Sequence, residues 1–153
     1  MSTDTPPSDK PLRIGEVAAR AKVTTRTLRY YQEMGLLAPE KTPGGTRVYR
    51  EHDVERLRRI LELRDVMGFD LERIRLILDS EDRLAAMRAE VQRGVSARRR
   101  REIVDEAFEL NGRMQDEVRE KLGLLEGFLA ELRAREHRYR EVRAEYDKPS
   151  RTT

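Results

Sequence analysis

Apolar residues recur at helical spacing almost as soon as the chain passes its first prolines. Ile14, Val17, Ala18 and Ala21 share one helical face and predict a short helix from Ile14 to Ala21. Lys22-Val23 makes a brief turn. Thr24 or Thr25 then supplies the hydroxyl that caps a second helix running to about Met34, with Gly35 as its stop. Leu28 and Tyr31 face inward with Val23. The pattern changes after Gly35: Pro39, then Lys41-Thr42-Pro43-Gly44-Gly45-Thr46, then Arg47-Val48-Tyr49 reads as a hairpin of two short strands. Helical spacing returns near Asp53, with Val54, Leu57, Ile60, Leu61 and Val66 as the apolar stripe and Gly68 as its end. Asp70 caps the next helix, whose Leu71, Ile74, Ile77 and Leu78 point inward.

The second half is helical in pattern throughout. Leu84, Met87, Val91 and Val95 form one amphipathic stretch, weakened by Gly94. Ile103, Ala107 and Phe108 begin another, with a break expected at Asn111-Gly112. From Val118 a seven-residue period takes over. Val118, Leu125, Leu132, Tyr139 and Tyr146 occupy one seam position, and Leu122 and Leu129 the other. Glu136 and Arg143 then fall on the seam, so only about two heptads are well formed. That is short for a dimer held by this segment alone, and other contacts must add to it.

These elements divide the chain into a tail (1–11), a DNA-binding unit (12–79), a helical linker or effector region (80–112), a dimerisation helix (113–146) built on Val118, Leu122, Leu125, Leu129 and Leu132, and a second tail (147–153). Both tails lack apolar clusters and read as disordered. The fold class is mainly α: an N-terminal winged helix-turn-helix with a small β-hairpin wing, then helices and a C-terminal dimerisation coiled coil.

Composition narrows the function. With 40% charged and only 5% aromatic residues, the chain suits long solvated helices and not an aromatic-lined substrate pocket. Its net charge of +3 hides an asymmetry. Leu12 to Arg50 holds eight Lys/Arg against three acids, so the remainder is slightly acidic. A basic N-terminal third is the footprint of a phosphate-binding module. There is no cysteine, which excludes disulfides and thiolate metal or redox sensing; His52 and His137 are too few and too far apart in sequence to suggest a metal site. No metal or cofactor is expected. No apolar run is long enough for a membrane span and there is no signal-peptide core, which points to the cytoplasm. No nucleophile-base set or phosphate loop argues for an enzyme.

Helix, turn and capped helix form a helix-turn-helix, whose second helix lies in a major groove of double-stranded DNA with its first residues at the base edges. Here these are Thr24, Thr25 and Arg26, and arginine is the commonest reader of guanine. Arg29 and Tyr30 are placed to reach phosphates. Tyr31 is turned more inward, with phosphate contact and burial left as alternatives. Arg47 and Tyr49 follow in the hairpin, whose Gly-rich tip lets backbone approach the sugar-phosphate chain. Arg98 to Arg101 reads as a solvated helix with local pairs to Glu102 and Asp105, and Phe108, Met114 and Phe128 as packing residues.

Ile14-Gly15-Glu16-Val17-Ala18, Thr27-Leu28-Arg29-Tyr30-Tyr31, Gly35-Leu36-Leu37, Gly45-Thr46-Arg47-Val48-Tyr49, Asp53-Val54 through Leu57, and Gly68-Phe69 with Leu71 and Ile74 together resemble the MerR family signature in order and spacing. The resemblance covers Leu12 to Leu78. It implies a homodimer joined by an antiparallel coiled coil, bound to a palindromic operator in an overlong promoter spacer. Such a protein bends and untwists the DNA so that RNA polymerase can use it, and it acts on polymerase only indirectly. It also implies DNA contacts for Thr25, Arg26, Arg29 and Tyr31, for Arg47 and Tyr49 in the wing, and a phosphate role for Lys41. Lys22 stands where many members have Gly, Thr46 where many have Tyr, and Arg50 where a Ser or Thr cap is common. Control by an unidentified small-molecule effector and control by abundance or a protein partner both remain open. The alternative function is an architectural or recombination-accessory DNA bender, against which the long C-terminal helix speaks.

Overall fold

The computed structural model describes residues 10–147; the tails read at 1–11 and 147–153 lie almost wholly outside the described residues. The chain is mainly helical. In order it runs α1 (Ile14–Ala21), α2 (Thr25–Glu33), β1 (Glu40–Lys41), β2 (Arg47–Val48), α3 (Glu51–Leu61), α4 (Leu71–Gln92) and α5 (Ala97–Tyr146). It forms two compact units, one up to Arg83 and one from Leu84 onward, and α4 runs unbroken past the point where they divide.

Each helix starts where a side-chain oxygen meets free backbone N–H groups. Thr24 Oγ1 accepts from the Thr27 N–H at 3.1 Å, Asp70 Oδ1 from Arg73 at 2.9 Å, and Ser96 Oγ from Arg99 at 3.1 Å. Such a cap contributes about 1 kcal/mol. Arg13 and Arg50 occupy the cap positions of α1 and α3, and a guanidinium cannot accept a hydrogen bond. There the carboxylate three residues on reaches back instead: Arg13 N–H donates to Glu16 and Arg50 N–H to Asp53, each at 2.8 Å. The helix that follows the wing therefore begins at Glu51, two residues ahead of Asp53, which is buried as a capping group.

The core of the first unit joins α1 to α4. Val17, Leu28, Leu36, Val54, Leu57, Ile60 and Ile74 are all within 2% of full burial. The hairpin pairs Glu40 with Val48 and Lys41 with Arg47, and Leu12 bridges to Tyr49 through reciprocal bonds of 2.8 and 3.0 Å. Gly45 closes the tip at φ +81°, where a side chain would be strained.

Two sequence expectations are corrected. Val66 is 79% exposed, and Leu63 is buried in its place. The end of α3 widens into a π-helical turn over Glu62–Val66, so the inward face no longer follows the 3.6-residue period. The break expected at Asn111-Gly112 does not occur: α5 is continuous for 50 residues, roughly 75 Å at 1.5 Å per residue. One interior glycine costs about 1 kcal/mol, too little to stop a helix of good formers on both sides.

In the second unit α4 turns into α5 through Gly94. Arg98 pairs with Glu102 at 3.1 Å as the spacing implied. Arg99 instead reaches across to Glu90 at 2.7 Å as well as to Glu102, and these bonds hold its guanidinium pKa up. Among the described residues no such pair joins Arg101 to Asp105. Phe108 and Phe128, expected as packing residues, are 80% and 56% exposed, because nothing among the described residues covers those turns of α5.

Candidate nucleic-acid interface

The short turn before α2 is held in a left-handed conformation. Lys22 takes φ +55°, and the Lys22 and Val23 N–H groups donate to Ala19 and Ala18 at 3.2 and 3.0 Å. That geometry explains why glycine suits the position. It delivers the chain directly to Thr24, whose hydroxyl is committed to the cap and to Thr27 Oγ1 at 2.9 Å. Thr25 and Arg26 then stand on the first, exposed turn of α2, with Arg29 and the 43% exposed Tyr30 following.

The far end of α2 is anchored by cations. Its terminal carbonyls carry partial negative charge. Arg75 donates to the Met34 carbonyl, and Arg56 Nε to the Leu36 carbonyl at 2.6 Å while its Nη1 pairs with Asp82 at 2.7 Å. Gly35, at φ +71°, makes the stop between them.

The two inner tyrosines turn out to be core residues. Tyr31 is 1% exposed and Tyr49 fully buried. Arg64 donates to the Tyr31 hydroxyl and lies 5.8 Å from its ring centroid; Gln32 donates to the Tyr49 hydroxyl. Burial pushes the Tyr31 phenol pKa up in spite of Arg64, so the group stays neutral near pH 7. Asp65 completes the cluster, its pKa lowered by the hydrogen bond from Arg64. Sequence reading missed Arg64, Gln32 and Asp53 as positioning groups. Arg64 lies 33 residues from Tyr31, and no local spacing signals such a pair.

Two groups stand out among the arginines and lysines of this unit, beside the exposed Arg13, Lys22 and Arg58, which also have no carboxylate partner among the described residues. Arg20, Arg50, Arg56, Arg59 and Arg64 are engaged with Glu51, Glu40, Asp82, Glu81 and Asp65. Arg26 and Arg29 on α2, and Lys41 and Arg47 facing each other across the hairpin, are exposed and have no carboxylate partner among the described residues. Such a set offers charge to an external anion without first breaking an ion pair. The residues expected to form a dimer seam lie on α5: Val118, Leu122, Leu125, Leu129 and Leu132 are between 38% and 55% exposed.

Residues 12–81 match the family model described as MerR HTH family regulatory protein. Over 118 residues the chain is 30% identical to the HTH-type transcriptional regulator YfmP of Bacillus subtilis, covering 76% of this chain and 84% of that protein. It is 46% identical over 67 residues to the HTH-type transcriptional regulator ZntR of Escherichia coli, spanning 43% of this chain and 47% of ZntR. With the HTH-type transcriptional activator TipA of Streptomyces coelicolor it shares 42% identity over 81 residues, 52% of this chain and 31% of TipA. Among solved structures, a putative MerR family regulator from Listeria monocytogenes has the same fold at TM-score 0.55 and 17% identity, covering 89% of this chain and 92% of that one. The regulator PbrR691 of Ralstonia metallidurans CH34, solved in complex with lead(II), aligns at TM-score 0.53 and 24% identity over 93% of this chain and 91% of its own.

Proposed function

The chain belongs to the MerR family of helix-turn-helix transcription regulators, and we propose on that footing that it binds a palindromic promoter operator as a homodimer and distorts the DNA between the half-sites. The observation that carries this reading is the set of exposed cations without carboxylate partners, Arg26, Arg29, Lys41 and Arg47, on α2 and the wing. In the proposed complex α2 enters the major groove. Arg26 reads a base edge, and Thr24 and Thr25 approach the same groove through the first turn. Arg29 and Tyr30 hold phosphates beside it, and Lys41 and Arg47 hold them from the wing. Tyr31 and Tyr49 act from below: their rings fix α2 and the wing in the core, and this support replaces a direct contact.

The proposed homodimer is supported by α5. A helix of 50 residues whose seam leucines are half exposed is not held by helix propensity alone, and a second copy buries that seam. Two copies present two recognition helices, which matches a palindrome. RNA polymerase is then affected through the shape of the promoter and not through an added contact. The signal is not a metal held by thiolates, since the chain has no cysteine; a small-molecule effector acting on the second unit is the control we favour. Among the described residues no helix is long and apolar enough to cross a membrane, and we place the protein's work on cytoplasmic DNA.

Footprinting of the purified protein on the promoter of its own gene, with transcription measured in parallel, tests the proposal. Protection of a palindrome within an overlong spacer, with altered transcript output, is the expected result. Bending of DNA without a defined site would make it an architectural protein instead.

A further inference from the structure

Within the second unit, the end of α4 and the start of α5 frame a cleft of about 550 Å³. Its walls follow from helical spacing. Leu84, Met87 and Val91 stand three and four residues apart on α4, and Ile103 and Ala107 four apart on α5, so each group shares one helical face. Met87 and Ile103 form the floor, at 1% and 6% exposure. Ala107 is the smallest residue of the lining, and its short side chain leaves the middle of the cleft open. Close to the turn at Gly94, the Arg99 guanidinium pairs with Glu90 at 2.7 Å and ties α5 to α4. The volume falls among those of small-molecule sites, roughly 300 to 1,000 Å³, which are mostly apolar with a few polar groups that fix orientation.

The polar groups of this cleft are Arg88, Gln92 and Asn111, all exposed. Each offers N–H donors, and no carboxylate stands among the described lining residues. The two nearby guanidiniums differ in what they are free to do. Arg99 is engaged by Glu90 and Glu102, whereas Arg88 has no carboxylate partner among the described residues. An unpaired guanidinium at the edge of an apolar cleft selects for an anion, and its planar fork fits a carboxylate through two parallel hydrogen bonds. A cationic guest would meet Arg88 as a like charge, and a neutral one would leave that charge unused.

We propose that this cleft binds an apolar carboxylate, a hydrocarbon chain ending in one acid group, with the chain over Met87 and Ile103 and the carboxylate on Arg88. This gives the small-molecule effector proposed above a site and a chemical class, and it rests on that reading only for its effect on DNA. From Leu84 to Val91 the α4 wall is roughly 10 Å long at 1.5 Å per residue, which suits an unbranched chain of medium length. The same helix carries Ile74 and Leu78, buried in the core of the first unit. A ligand held by the later turns of α4 therefore bears on a helix that the first unit is built around.

Calorimetric titration of the full chain with decanoate tests the site, with decanol and decyltrimethylammonium as neutral and cationic probes of the same chain length. Decanoate should bind saturably and more tightly than either. Octanoate, two methylenes shorter, should bind roughly tenfold more weakly. Arg88→Gln should weaken decanoate about five- to tenfold and leave decanol unchanged. Ala107→Phe fills the middle of the cleft and should abolish binding while circular dichroism shows the helices intact; Ala107→Leu repeats the test should the larger ring disturb folding. Decanol binding as tightly as decanoate, or decanoate binding unaltered by Arg88→Gln, would overturn the carboxylate assignment. Undiminished binding by both folded Ala107 variants would place the probe on the exposed apolar residues of α5 instead. A lack of saturable binding would mean that a second copy fills the cleft or that it is too open to hold a guest, and either result refutes the site. Operator affinity with and without decanoate separates the two layers of the reading. A shift of about fivefold or more is expected at saturation. Unchanged operator affinity with decanoate bound refutes the effector role and leaves the site standing, whereas failure to bind any operator refutes the proposed function itself.

Discussion

Up to Arg83, the apolar residues of successive helices are turned inward and most are covered: Val17, Leu28, Val54, Leu57, Ile60 and Ile74 are fully buried. From Leu84 onward the described residues bury only Met87 and Ile103 among their large apolar side chains, while Phe108, Leu124, Leu125 and Phe128 are more than half exposed. The first unit satisfies its own hydrophobic pattern; the second leaves most of its pattern exposed. Charged residues differ in a parallel way. In the first unit the guanidiniums of Arg56 and Arg59 tie α3 to Asp82 and Glu81, whereas the basic residues of α2 and the wing are left to the outside. Some arginines thus hold the unit together, and recognition is the role proposed for others of the same type.

That comparison is broken most severely by a cavity in the self-contained unit. Leu57→Ala should lower its unfolding free energy by about 2 to 5 kcal/mol, read by denaturant titration, since Leu57 is fully buried. Leu125→Asp should do the reverse. It places a charge on the seam, and a dimer that must bury it weakens by roughly 2 to 4 kcal/mol. Analytical ultracentrifugation should then show monomer, operator binding should fall, and the spectroscopic signal of the first unit should persist. An unchanged dimer mass would mean that the seam is misassigned. Arg26→Ala tests the outward-facing cations: discrimination between operator and random DNA should drop by about 1 to 3 kcal/mol. An equal loss on both DNAs would mark Arg26 as a phosphate contact. The smallest effect is a gain. Lys22→Gly should stabilise the first unit by about 0.5 to 1 kcal/mol by relieving the left-handed backbone at φ +55°, seen as a rise in Tm.

How far the sequence could be read depended on the range of the interaction. The limits of α1, the Thr24 cap and the Gly35 stop were legible because each is settled within four residues of chain. The hairpin was legible through its Pro-Gly-Gly tip. The exchange of Val66 for Leu63 was not, because a π turn arises from how the end of α3 meets the core and leaves no local mark. At the site, Arg26, Arg29, Lys41 and Arg47 could be named from their motif and are exposed as a reader must be. Tyr49 could not be told from a surface residue, since alternation in a two-residue strand gives no depth; its partners Gln32, at the hydroxyl, and Leu12, at the backbone, are distant in sequence.

The cations without partners have a consequence in solution thermodynamics. An arginine already paired to a carboxylate displaces nothing when it approaches DNA, but an unpaired one that neutralises a phosphate releases a condensed counterion into bulk. With Arg26 on a base edge, Arg29, Lys41 and Arg47 provide three such groups in each chain and six in the proposed dimer. If all six engage phosphates, the logarithm of the binding constant should fall with the logarithm of salt concentration at a slope of roughly −5, and Lys41→Ala should reduce that slope by about 2 in the dimer. The ionic atmosphere of the promoter thus becomes the reservoir that drives association, and affinity is set as much by the surrounding salt as by the protein.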